Sequence, residues 1–100
     1  MFILHVEIPL KEGAADKIQE AYDEVYEQVI TEKGCKTYKL SFSGDRMTAV
    51  FFEIWESDDD LSAHLQQPYI MALLANSFML AAGKPKATKY NIESIVNDLL

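Results

Sequence analysis

The sequence predicts an α+β fold of the ferredoxin-like kind, with element order βαββαβ and a four-stranded antiparallel sheet carrying helices on one face. Three observations predict it. Short runs of alternating apolar and polar residues open, centre and close the chain, as strands do. Between them lie stretches with apolar residues every three or four positions, as helices require. The chain has 100 residues, 49% apolar and 25% charged, enough for one core, so residues 1–100 are read as a single domain.

The first strand is residues 2–8. Phe2, Leu4, Val6 and Ile8 point one way and Ile3, His5 and Glu7 the other, until Pro9 removes a ladder donor and Lys11-Glu12-Gly13 turns the chain. From residue 14 to about 33 an amphipathic helix is expected, with Ala14, Ile18, Ala21, Tyr22, Val25, Val29 and Ile30 on its apolar face and Gly34 as its stop. Residues 35–43 form the second strand, with Tyr38, Leu40 and Phe42 on its apolar face. A turn at Ser43-Gly44-Asp45-Arg46 leads back through a third strand, 47–55, as a hairpin. That strand is apolar on both faces and belongs in the middle of the sheet. Ser57 caps a helix running to about Gln66, with Asp58, Asp59 and Asp60 in its first turn where the dipole favours negative charge. Pro68 suits the first turn of another helix, 69–82, closed by Gly83. A last strand is expected over 87–95, followed by the apolar tail Val96 to Leu100.

Helices cover only one face of such a sheet, yet the first strand carries Ile3 and the third Val50, Phe52 and Ile54 on the other. A second copy of the same sheet is the simplest cover, so a homodimer with stacked sheets is expected, the C-terminal tail helping to tie the subunits.

Charge and motif content exclude several functions. The net charge is −7, from nine basic and sixteen acidic side chains, which argues against a nucleic-acid binder. Residues 1–33 hold eight acidic and three basic side chains, net −5, whereas Lys84, Lys86 and Lys89 make the one locally basic stretch, read as a solvated sheet edge. No apolar run approaches the roughly 20 residues that span a bilayer, and the opening Met1-Phe2-Ile3-Leu4-His5 lacks a basic leader, so no membrane role and a cytoplasmic location are expected. Cys35 is the single cysteine, and His5 and His64 are the only histidines, so a metal site is not expected. Phosphate loops, G-x-S-x-G, H-E-x-x-H and C-x-x-C patterns are all missing.

The informative stretch runs from Glu53 to Leu80. Glu53 and Trp55 share a strand face, a capped helix then delivers His64, and Tyr69 opens a helix that is apolar almost all round. Sparse polar groups beside an apolar wall are how small-molecule pockets are built. The plainer alternative is that Trp55 and Phe78 are core and His64 packs locally.

The segment Glu53-Ile54-Trp55-Glu56-Ser57, then Ala63-His64-Leu65-Gln66-Gln67-Pro68-Tyr69, preceded by Glu32-Lys33-Gly34-Cys35-Lys36-Thr37-Tyr38, resembles the antibiotic biosynthesis monooxygenase family. The resemblance extends to the opening strand with Pro9-Leu10-Lys11-Glu12-Gly13 and covers nearly the whole chain. It implies a dimeric α/β barrel with a pocket in each subunit between sheet and helices. Members include cofactor-independent quinol and anthrone monooxygenases, heme-degrading oxygenases and proteins that process a bacterial autoinducer. The family's glutamate, tryptophan and histidine fall on Glu53, Trp55 and His64, and its aromatic or histidine position after the proline falls on Tyr69. Heme-degrading relatives carry tryptophan at the position of His64 and a ligating histidine about ten residues on, where this chain has Leu74.

The expectation that follows is a monooxygenase without cofactor, oxidising a quinol or a polyphenolic aromatic, with turnover of a menadiol-like quinol as its test. His64 is the candidate base, Glu53 the holder of its second ring nitrogen, and Tyr69 and Asn76 orient substrate oxygens. Trp55, Met71, Phe78 and Tyr90 are expected to stack on the ring, with His5 placed among the binding residues. Two alternatives stand beside it: a ligand-binding module without turnover, and isomerase-type processing of a phosphorylated signal compound. The second alternative needs Lys84, Lys86 or Lys89 at the pocket.

Overall fold

The computed structural model describes residues 1–100. Its elements are β1 (Phe2–Pro9), α1 (Ala15–Ile30), β2 (Cys35–Phe42), β3 (Thr48–Trp55), α2 (Asp58–Leu65), α3 (Pro68–Leu80) and β4 (Lys86–Asn91). The four strands form one antiparallel sheet in the order β2-β3-β1-β4. This is the expected ferredoxin-like arrangement. The sheet is open, with free outer edges on β2 and β4, so the barrel implied by the resemblance is not closed within one chain.

Strand parity sorts the side chains. Phe2, Leu4, Val6 and Ile8 of β1 share the helix face with Ala49, Phe51, Glu53 and Trp55 of β3 and with Tyr38, Leu40 and Phe42 of β2. Against them α1 packs Ile18, Tyr22, Val25 and Val29, and α3 adds Ile70 and Leu73. The buried Tyr22 hydroxyl donates to the Tyr38 carbonyl at 2.6 Å, which fixes α1 over β2. The opposite face carries Ile3, His5, Val50, Phe52, Ile54 and Tyr90 and has no helix over it.

Local chemistry accounts for the element ends. Ser57 caps α2 by accepting from the Asp60 amide at 3.2 Å, and Pro68 occupies the first turn of α3. The end of α3 is stitched to the end of β1: the Lys11 amide donates to the Leu80 carbonyl at 2.9 Å and the Ala82 amide to the Pro9 carbonyl at 2.8 Å. Two boundaries differ from expectation by three residues or more, the rest by no more than two. Helix α1 ends at Ile30, because the chain must turn through Gly34, whose φ of +79° is left-handed. Gly34 also lies against the Asp60 side chain, where no Cβ fits. Strand β4 ends at Asn91, not residue 95. Asn91 pairs with Phe2 and the Ile92 amide reaches the Met1 carbonyl, so β1 offers no further partner. The tail beyond is exposed, including Val96, Leu99 and Leu100. No helix is long and apolar enough to cross a membrane.

Candidate functional site

Between the sheet and α2 and α3 lies a cavity of about 100 Å³. Nine of its twelve lining residues are apolar, among them Leu4, Val6, Phe51, Leu73 and Leu74; the others are Glu53, His64 and Ser77. Leu65, 42% exposed, is where its wall meets solvent. The Ser77 hydroxyl donates back to the Leu73 carbonyl at 2.8 Å, so Glu53 and His64 supply the polar end.

Glu53 and Trp55 stand two residues apart on β3 and so share a face. Trp55 is wholly buried and its indole N–H donates to Glu53 Oε1 at 2.9 Å. Burial pushes the Glu53 carboxyl up to about 7, against the pull of the indole bond and with a further push from the charge of Glu32. Its second oxygen has no protein partner, and the residue lines the cavity.

His64, in the last turn of α2, rests on Trp55 with ring centroids 4.6 Å apart and meets the Tyr38 ring edge-on at 5.8 Å. Its Nδ1 lies 2.8 Å from Glu32 Oε1. The other Glu32 oxygen accepts from the Tyr69 hydroxyl at 2.6 Å. An ionised Glu32 accepts only, so this bond assigns the proton to Nδ1 and leaves the lone pair on Nε2. Nε2 has no protein partner, yet no sealed-in side-chain nitrogen or oxygen is left unpaired, so it opens onto the cavity. Burial lowers the His64 pKa and Glu32 opposes that shift, so the ring is neutral at neutral pH. Tyr69 is pushed up to about 12 by burial and then by Glu32, and Cys35 to about 11 chiefly by burial, so both keep their protons.

The arrangement sorts the residues singled out by sequence. His64 and Glu53 line the cavity, Trp55 supports them from beneath, and Tyr69 joins the cluster through Glu32. Glu53 does not hold the second nitrogen of His64; Glu32 does, because Glu53 is turned to Trp55. Met71, Asn76 and Phe78 do not line the cavity. Helical spacing turns Ile70, Leu73 and Ser77 inward, which leaves Met71 and Phe78 outside and nearly 60% exposed. Asn76 borders a separate surface hollow with Lys17 and Met79. Tyr90 and His5 sit on the open face of the sheet, by the same parity that places Ile3 there. Lys84 and Lys86 are exposed, while Lys89 lies over the Phe2 ring and pairs with Asp58 at 2.7 Å; none lines the cavity.

Glu32 went unassigned in the sequence. It stands just past α1, and nothing local to it signals a partner 32 positions later. No group of three or more His, Cys, Asp or Glu side chains is disposed to hold a metal ion.

Comparison with known proteins gives the site its context. Solved structures share the fold. Rv0793 from Mycobacterium tuberculosis is 20% identical, with 96% of this chain and 98% of that one covered and a TM-score of 0.84. A crystal structure described as antibiotic biosynthesis monooxygenase is 19% identical over 94% of this chain and 100% of the other, also at 0.84. A conserved protein from Methanosarcina mazei is 12% identical over 92% of each chain, again at 0.84. A search of curated proteins finds no match. The sequence model described as antibiotic biosynthesis monooxygenase matches residues 1–76, about three quarters of the chain. The chain therefore belongs to the antibiotic biosynthesis monooxygenase family.

Proposed function

We propose that this protein is a monooxygenase that oxidises a single-ring quinol or polyphenol in the cavity without a cofactor, with His64 as the base. One observation carries the reading: a neutral imidazole whose free Nε2 faces, beside Glu53, a chamber lined mostly by apolar side chains while its other nitrogen is anchored. Reaction of an aromatic with dioxygen in such a site needs an electron-rich anion, and proton removal from a ring hydroxyl makes one. Nε2 takes that proton, and the imidazolium is stabilised by Glu32. The phenolate then supplies electrons to dioxygen. One oxygen atom enters the ring, the other leaves as water, and a hydroquinone becomes a hydroxyquinone. Glu53, with a carboxyl near neutrality, supplies the proton that the departing oxygen needs. The apolar walls keep bulk water from the reactive anion.

Size supports the single ring. A cavity of about 100 Å³ lies below the roughly 300–1,000 Å³ of common ligand sites, and benzene occupies an engineered void of about 150 Å³. Entry of one ring requires the wall formed by Leu65 and Leu74 to yield. The test is oxygen uptake with methylhydroquinone, set against a naphthoquinol. His64→Gln is expected to lower the rate about 10²–10⁴-fold. An unchanged rate removes His64 from the mechanism, and thermal stabilisation by the quinol without oxygen uptake would favour the ligand-binding alternative.

The assembly we propose is a homodimer through the open sheet face. Ile3, Val50 and Phe52 are half-buried there, with the buried Ile54 on the same face and the exposed Tyr90 beside them, and none of the helices covers this face. Phe52→Glu is expected to give a folded monomer in sedimentation at micromolar concentration. A wild-type protein that sediments as a monomer would refute this assembly.

A further inference from the structure

We propose that Glu32 is a positioning residue that holds His64 with its basic nitrogen toward the cavity, and that Tyr69 tunes how strongly Glu32 does so. The catalytic use of this arrangement rests on the function proposed above; the arrangement itself does not. Glu32 has both oxygens engaged, one with His64 Nδ1 at 2.8 Å and one with the Tyr69 hydroxyl at 2.6 Å. Its side chain is only 11% exposed, and that of His64 4%. Bonds of this kind to an ionised acceptor are short and strong, and they offset the cost of burying the charge.

Two stretches far apart in sequence meet here: the turn after α1, and the α2–α3 junction, which brings the last turn of one helix and the first turn of the next. A merely structural contact between them would not need a carboxylate serving two donors. The consequence for His64 is specific. A ring without Glu32 is free to carry its proton on either nitrogen or to rotate, and Nε2 then no longer faces the cavity as a lone pair. The other groups around the ring do not replace Glu32. Tyr38 from β2 and Trp55 from β3 present ring surfaces, Glu53 bonds to Trp55, and Cys35 is a neutral thiol. Tyr69 draws charge from the carboxylate, so it weakens the hold of Glu32 on the imidazolium.

The test is ¹⁵N NMR of the imidazole nitrogens in the full-length protein across a pH titration, with no substrate present. His5, on the opposite face of the sheet, serves as the internal control. In wild type, neutral His64 is expected as the Nδ1–H form. Glu32→Gln keeps an acceptor but removes the charge, and the His64 midpoint is expected to fall by about one pH unit or more. Tyr69→Phe is expected to move the midpoint the other way, with His5 unmoved in both variants. The Nε2–H form in wild type, or coincident His64 titrations in wild type and Glu32→Gln, would overturn the proposal. A protein with this NMR behaviour that consumes no oxygen would refute the oxygenase reading and leave the role of Glu32 standing.

Discussion

Replacing Glu53 with glutamine is expected to stabilise the protein in neutral and alkaline solution and to leave it unchanged in acid. The carboxyl is 7% exposed, and burial raises its pKa from an ordinary 4.5 to about 7. Between these values the folded protein retains a proton that the unfolded chain has released. Stability therefore falls as pH rises through this window, and the deficit is complete above about 7. At about 1.4 kcal/mol per pH unit, the window amounts to roughly 3 kcal/mol. Glutamine is close to an isostere of the protonated acid, and its amide oxygen still accepts from the Trp55 indole. The cost of ionisation is the term that disappears. Urea unfolding followed by fluorescence of Trp55, the sole tryptophan, measures the difference between variant and wild type. His64 titrates in both proteins and largely cancels. The expected difference is near zero at about pH 4 and roughly 3 kcal/mol in favour of the variant at about pH 8. A difference that does not change with pH would refute the argument that Glu53 is buried as an acid.

Further outcomes follow from the same geometry. Oxygen uptake is expected to fall as pH rises through about 7, when Glu53 ionises, and to fall in acid as His64 takes up a proton; Glu53→Gln is expected to remove the alkaline limb. Gly34→Ala places a Cβ against the Asp60 carboxyl at a φ of +79°, and a loss of about 1–3 kcal/mol is expected in urea melts. Leu73→Ala is expected to cost about 2–5 kcal/mol and to enlarge the cavity, so that phenol or benzene raises the melting temperature of the variant more than that of wild type.

Local order was legible in the sequence because its causes are local. Alternation in residues 2–8 gave β1 its two faces, Ser57 and Pro68 marked the starts of α2 and α3, and the two-sided apolar pattern placed β3 inside the sheet. What escaped depends on contacts between distant segments. Helix α3 is apolar around most of its circumference, so its composition does not reveal that Ile70, Leu73 and Ser77 face inward while Met71 and Phe78 face out. Glu32 resembles any acidic residue of the first third of the chain until the fold brings His64 and Tyr69 to it. The end of β4 is set by where β1 starts, not by the residues after Asn91, which remain apolar enough to suggest more strand.

Strand β1 precedes the other three strands in the chain, yet it lies inside the sheet between β3 and β4. Phe2 pairs with Trp55 on one side and Asn91 on the other. On the ribosome it must wait for β3 before one edge is satisfied and for β4 before the second is. Folding is therefore governed by long-range closure, and nascent chains pass through a stage in which an apolar ribbon has a free flank. Expression yield is expected to depend on how quickly β4 follows β3, a cost written into the strand order itself.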